Sequence, residues 1–437
     1  MLAYLKKDIS KFFFISIFLL LSLQSIFNVI CVSLDLNFPY TTFLFIPSEK
    51  FSDFFKVILS YPHQLYVFQP NFSWPHFLRV PQSIIHFIEN NPYGGVEALS
   101  ETHRLTHFLT PPLPNFLNLI FLEAFKWVPA HIIFSVLAGL FYYLVFRLIK
   151  LSEKNNRNHI YWFFGFALSY PALFAITRGN FGAMASFLSA FYFLMKFTDK
   201  VNYEKNSLHW SLFVLAIGVN FRPNLAILAF IPLVNLNLKE VAKYAASFCL
   251  SNVLIFTTFL YLSHKFYEAY SLKNFFIGLD GYHYFFVVLN WGIAYGSSFF
   301  SILKTFFGYH LFLEYVNYLI AAILFFYSFY LKQTYKINML SFVYILSGIS
   351  LMASPVICDY HLMLFFAVIL FGYKNKLLNL NQNISKLIIF SIILLLVPKN
   401  YIFSNKYSLQ VLLNPIIFLI STIYILKHQE NLSRRRL

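Results

Sequence analysis

Apolar residues run along this chain in long blocks, not in the alternating or three-and-four spacing of a soluble domain. The blocks cover approximately 12–34, 128–149, 160–177, 181–197, 208–221, 224–238, 244–263, 310–331, 338–353, 360–373, 387–404 and 409–427. A helix needs ~20 apolar residues to cross a hydrocarbon core, fewer where it is broken or the bilayer thins. Several blocks are short, and the pairs 160–197 and 208–238 each turn over within a few residues. The pattern predicts an all-α fold: one polytopic membrane domain over 1–437, a helix bundle of about twelve spans. The first block follows Lys6, Lys7 and Lys11, exceeds a signal-peptide core in length and has no A-x-A site after it, so it reads as a start-transfer anchor.

Two long polar stretches interrupt the blocks. Residues 35–127 carry more acids (Asp35, Glu49, Asp53, Glu89, Glu97, Glu101) than bases, and the pieces 51–60 and 78–89 read as short amphipathic helices at a membrane interface. The run Leu109-Thr110-Pro111-Pro112-Leu113-Pro114 then breaks the chain before an apolar piece at 115–125. The second stretch is about 264–309, within which Tyr284–Leu303 reads as an outer-surface or re-entrant helix that does not cross.

Composition narrows the class. The chain is 59% hydrophobic and 11% charged, with 57 Phe and 30 Tyr; a soluble domain carries roughly a quarter charged residues. A soluble enzyme, a disordered chain and a fibrous protein are excluded. The net charge of +16 would suit nucleic acid, but the placement of the basic residues does not. With the N-terminus in the cytoplasm, most of the 33 lie in short inner loops, among them Arg147, Lys150, Lys154, Lys196, Lys239, Lys332, Lys374 and the final Arg434–Arg436. That is the positive-inside pattern; both termini are then cytoplasmic, and the two long stretches are extracytoplasmic. Cys31, Cys249 and Cys358 are scattered, with neither a disulfide framework nor zinc spacing.

Polar residues without a topological role gather on the outer side. Asp53 lies in the first loop, Arg178 in Thr177-Arg178-Gly179-Asn180, and Arg222 in Asn220-Phe221-Arg222-Pro223-Asn224. Asp280 and His283 lie in the second loop, and Asp359 and His361 follow Ser354-Pro355. Each has a plainer reading. Asp53 also fits a solvated loop acid or a capping partner, and either arginine fits snorkelling to lipid phosphates. His361 equally fits a packing histidine, and for Asp280 and His283 a structural role is the better fit. Two arginines, each followed by a helix-breaking residue near a membrane boundary, point toward function.

No metal-ligand cluster, nucleophile elbow or phosphate-cradling glycine loop is present in the sequence. One carboxylate base with several guanidinium groups suits glycosyl transfer from a lipid-phosphate sugar. The leaving phosphate departs as an anion, needs cations and needs no general acid, and the arginine fork matches its oxygens. One base then activates the acceptor hydroxyl in an inverting displacement, without the paired carboxylates of a hydrolase.

At these residues the chain resembles glycosyltransferase family 87, the mannosyltransferase-like, polyprenyl-phosphate-sugar-dependent enzymes with the C-type membrane glycosyltransferase fold. The resemblance is carried in order by Phe51-Ser52-Asp53-Phe54-Phe55, Pro111-Pro112-Leu113, Arg178-Gly179-Asn180, Ala216-Ile217-Gly218 with Arg222-Pro223, and Ser354-Pro355 with Asp359-Tyr360-His361. It implies that Asp53 is the catalytic base, that Arg178 and Arg222 bind the donor phosphate, and that Asn180, Asp359 and His361 lie near donor or acceptor. Thr110 departs from the family's aromatic before Pro-Pro, Arg222 from its lysine, and Asp359-Tyr360-His361 from its aromatic-His order. The last two spans carry no motif. The resemblance implies an inner-membrane hexosyltransferase, with mannose a candidate sugar, that takes a polyprenyl-phosphate sugar as donor and a lipid-linked or cell-surface glycan as acceptor. No further cofactor and no nucleic-acid partner is implied. Two rivals stand beside it: an O-antigen-type polymerase or ligase relying on Arg and His, and a lipid or glycan transporter needing no base.

Overall fold

The computed structural model describes residues 8–33, 111–125, 128, 130–152, 156–197, 205–266, parts of 271–279, 283–288, 296–335, 337–378, 382–399, 402–404 and 407–434. The helices are α1 (Ile9–Ser33), α2 (Pro112–Phe125), α3 (Ala130–Ser152), α4 (Asn156–Ala167), α5 (Tyr170–Arg178), α6 (Phe181–Lys196) and α7 (Lys205–Phe221). After a 3-10 stretch over Pro223–Asn235 come α8 (Leu238–Phe266), α9 (Phe299–Phe307), α10 (Leu311–Tyr335) and α11 (Met339–Met352). A short 3-10 turn, Asp359–Met363, leads into α12 (Leu364–Lys374), followed by α13 (Asn383–Leu396) and α14 (Gln410–Arg434). Between α13 and α14 a small antiparallel ribbon pairs β1 (Ile402–Ser404) with β2 (Tyr407–Ser408).

Each apolar block of the sequence carries a helix, but the helices differ in kind. Among the described residues, five are long and apolar enough to cross a membrane alone, in α1, α3, α8, α10 and α14. The pair α4–α5, bent by 56° at Leu168–Ser169, is apolar enough to be either a sixth, broken span or a re-entrant loop. These observations make the chain a helical, multi-pass membrane protein. The long helices carry lipid-suited surfaces: α8 exposes Leu250, Val253, Leu254 and Tyr261, and α10 exposes Phe312, Leu319, Ile323 and Phe326.

The short helices are the inner layer. Every residue of α11 is buried, as is α12 from Leu364 to Gly372. A helix apolar on all sides belongs inside a bundle. Fourteen residues of α11 rise only about 21 Å, short of a ~30 Å hydrocarbon core. Because it is buried along its whole length, the chain continuing from its ends faces protein, where non-helical backbone is tolerated at membrane depth. Aromatic packing fills this layer: Phe166 stacks on Phe187 with ring centres 5.1 Å apart and meets Phe366 at 4.8 Å. Close helix contacts use small residues, as membrane helices do; a Cβ on Gly218 would stand 2.8 Å from Ser189, and one on Gly348 only 1.8 Å from the Phe418 ring.

Several blocks depart from a plain helix. The block at 224–238 is a 3-10 helix through Pro232, whose missing N–H and ring disfavour α-helical bonding. The block at 360–373 begins in the 3-10 turn, and the block at 387–404 is helical only to Leu396, just before Pro398. Within 284–303 the described residues form a π-type turn, His283–Val288, and the start of α9, neither long enough to cross. The apolar piece at 115–125 lies in α2, which packs against α8 through a cluster that includes Leu113, Leu117, Ile255 and Phe259.

Candidate functional site

The turn between α5 and α6 is built by its own sequence. Arg178 is the last residue of α5, and Gly179 follows in the left-handed conformation at φ 69°. The Asn180 N–H donates to Ala175 O at 2.9 Å and the Gly179 N–H to Ile176 O at 3.1 Å, the paired bonds of a Schellman ending. Asn180 Oδ1 then accepts from the Ala183 N–H at 2.8 Å and caps α6. The Arg178 guanidinium carbon lies 5.8 Å from the Phe174 ring centre, within cation–π range.

A second turn stands beside it. α7 ends at Phe221, Arg222 is extended at φ −143°, and Pro223 opens the 3-10 stretch. The two turns meet through Phe181 and Phe221, whose ring centres are 6.0 Å apart. The Asn224 side chain donates to the Ser350 carbonyl near the end of α11.

The third element is the segment from Ser354 into α12. It is anchored by an antiparallel bridge between Gly296 and Cys358 and by Ser297 N–H donating to Ile357 O at 3.0 Å. His361 Nδ1 lies 2.9 Å from Cys358 O. A carbonyl only accepts, so Nδ1 carries the proton, and on a neutral ring Nε2 is left as an acceptor. Nε2 is buried and meets no hydrogen-bond partner among the described residues. His361 and Arg222 line one crevice, floored by Ala183, Ser186 and Phe187 of α6. As it stands the crevice has room for about one water molecule. From His361 a line of buried rings runs to Arg178: Tyr360 lies 4.5 Å from the imidazole and stacks on Phe174 at 5.6 Å, the ring that carries Arg178.

Asp359 faces the opposite way. It is fully buried and accepts from the Ser297 hydroxyl, from Asn414 Nδ2 at 3.3 Å and from the Tyr170 hydroxyl at 3.4 Å. Burial raises its carboxyl above the ordinary range, while Ser297, Lys399, Tyr170 and Asn414 oppose that rise. All three hydrogen-bonding neighbours donate to it, an arrangement that fits the ionised form.

The structure therefore brings Arg178, Asn180, Arg222, Asp359 and His361 to one end of the bundle, but in different roles. Arg222 and His361 share the crevice, Arg178 joins them through two rings, Asn180 spends its side-chain oxygen on a helix cap, and Asp359 points into a separate polar cluster. Asp53 and Asp280 lie outside the described residues. His283 pairs with Glu314 at 2.9 Å, in a group with Tyr309 and Lys304. The sequence assigned no role to Asn224, although it closes the Arg222 turn, nor to Ser186, Ser297, Lys399 or Asn414. Asn414 carried a usable signal, since it sits beside Pro415 near the start of an apolar span; Ser186 and Ser297 carried none.

At the opposite end, α3, α6, α10 and α12 each close with a lysine in the last turn, Lys150, Lys196, Lys332 and Lys374. There a cation meets the negative end of the helix dipole. Lys374 Nζ donates to Met195 O, and Asn158 Nδ2 to the Tyr373 hydroxyl at 3.3 Å, so these helix ends are neighbours.

By class, then, this is a polytopic helical membrane protein with a small, mainly apolar crevice, into whose lining Arg222, Asn224 and His361 bring polar groups, where several helices break. Beyond that class, comparison with protein-family models, curated proteins and solved structures finds no match to the chain.

Proposed function

We propose that the protein is a membrane glycosyltransferase resembling glycosyltransferase family 87. It moves a hexose from a polyprenyl-phosphate carrier to a lipid-linked or cell-surface glycan on the extracytoplasmic side of the inner membrane. The observation that carries the reading is the crevice that Arg222 and His361 both line, beside the Arg178 turn, with the His361 acceptor nitrogen buried and without a partner among the described residues. A guanidinium there suits the charge of a departing lipid phosphate, and an acceptor nitrogen suits a sugar hydroxyl. In this reading Asp53 takes the proton from the acceptor hydroxyl, the C1–O bond to the phosphate breaks, and the new glycosidic bond forms with inversion. About twelve spans, cytoplasmic termini and lysine-rich inner helix ends complete the topology.

The test is transfer from radiolabelled polyprenyl-phosphate hexose by purified protein. Asp53→Asn is expected to lower kcat by roughly 10²–10⁴-fold, and Arg222→Ala to lower kcat/KM by roughly 10²–10³-fold. Full activity in Asp53→Asn would remove the proposed mechanism. The pairing of Arg222 with His361 also favours a second reading, an O-antigen-type polymerase or ligase working on a diphosphate-linked oligosaccharide without Asp53. Transfer from that donor, unaffected by Asp53→Asn, would select it. Movement of glycan across the bilayer with no new bond would select a transporter.

A further inference from the structure

The last two helices carry no motif, yet they meet the site through a buried charge. α13 ends at Leu396, and Lys399 follows with its ammonium donating back to the carbonyls of Leu394 and Val397. α14 begins at Gln410, and one turn in, Asn414 Nδ2 donates both to Ser297 Oγ at 2.9 Å and to Asp359 Oδ1. Lys399 and Asp359 feel each other's charge without direct contact, since the ammonium's hydrogen bonds go to the carbonyls of Leu394 and Val397. Tyr170, at the start of α5 beyond the bend, closes the cluster from the other side. Asp359 thus gathers donors from α5, from the strand-like segment at 296–298 and from α14, with a countercharge from the end of α13. It is two residues from His361 and one from Cys358, whose carbonyl holds the imidazole in its tautomer.

We propose that Asp359 is a positioning residue: its buried carboxylate, held by Asn414 and Ser297 and facing the Lys399 charge at longer range, latches α14 onto the turn that presents His361 to the crevice. The latch stands on these contacts alone; its effect on turnover rests on the transferase reading above. A buried charge in an apolar bundle is costly unless paired and hydrogen-bonded, so it persists where its partners are supplied together. Removing one member of such a pair strands the other, whereas removing both is far better tolerated. That asymmetry separates a charge latch from ordinary packing.

The experiment uses the full-length protein in detergent with Cys31→Ser and Cys249→Ser, which leaves Cys358 as the single thiol of the three. Maleimide labelling of Cys358 reads opening of the turn. Asp359→Asn and Lys399→Met are each expected to speed labelling roughly fivefold or more by local unfolding. The double variant Asp359→Asn/Lys399→Met should return to within about twofold of the parent. In transfer assays the single variants should lose roughly 10–100-fold in kcat with KM little changed, as displacement of a site group does, and the double variant should recover. Should Asp359→Asn fail to accumulate, Ser297→Ala and Asn414→Ala each remove one donor and should speed labelling in the same direction. Parent-like labelling in both single variants, or losses that simply add in the double, would overturn the latch. The expected labelling pattern in a protein with no transfer activity would support the latch and remove the transferase reading instead.

Discussion

Gly348 and Gly139 show how differently one residue type serves in this bundle. A Cβ on Gly348 would run into the ring of Phe418, itself fully buried, whereas a Cβ on Gly139 would meet nothing within 4 Å. Gly348→Ala is expected to destabilise the protein by about 1–3 kcal/mol through overpacking. Gly139→Ala, in an open helical position, should be neutral or stabilising by up to about 1 kcal/mol. Thermal unfolding of the two variants in one detergent checks the contrast. At this scale the chain announced Arg178, Asn180 and Arg222 because charged and turn-forming residues stand out between apolar blocks. It did not announce that Asn180 caps a helix while Asn224 reaches across to Ser350, since both are asparagines beside a helix break. Which partner an amide finds depends on what packs opposite it.

Elements were legible as apolar blocks, and their interruptions only partly so. Pro223 and Gly179 mark real ends for opposite reasons: the proline ring fixes φ, and glycine without a Cβ accepts the positive φ of the helix ending. The 3-10 course of Asp359–Met363 was not legible, because nothing local marks it and it packs mainly against α5, distant in sequence; that of Pro223–Asn235 had Pro232 as its local sign. The corner between α9 and α10 gives an element-scale prediction. Lys304 is nearly buried there, donating to the carbonyls of Val287 and Val288. Burial pulls it down to about 8 from 10.5, with the nearby Glu314 carboxylate acting in the opposite sense. Between those values the unfolded chain holds a proton that the folded chain has released. Stability therefore rises with pH across that window. Unfolding temperatures measured from pH 7 to 10.5 should climb in the parent protein, and Lys304→Met should flatten the climb.

For the whole molecule, the structure gives the bundle two dissimilar ends, which the basic-residue pattern leads one to expect on opposite sides of the membrane. One carries the last-turn lysines of α3, α6, α10 and α12; the other carries the helix breaks, the crevice and the buried Asp359 cluster. If the lysine-bearing end is cytoplasmic, a cysteine introduced at position 53 should react with a membrane-impermeant thiol reagent applied to intact cells, and one at position 154 should react only after permeabilisation. Reversed labelling would invert the topology and move the proposed site to the wrong side for a polyprenyl-phosphate sugar presented outside.

Sequence alone determined that this protein is helical and lives in a membrane, because the cost of exposing apolar surface to water and unpaired backbone to lipid leaves few alternatives for such a composition. It also picked out the arginines and the histidine, since polar groups beside a bilayer are too costly to be incidental in every case. Tertiary structure decided the rest: that α11 and α12 are interior, that His361 and Arg222 face one crevice, and that Asp359 turns away from it toward Ser297, Asn414 and Lys399. Residues far apart along the chain, such as Tyr170 and Asp359 or Ser297 and Asn414, meet only when helices pack, and local spacing carries no record of that encounter.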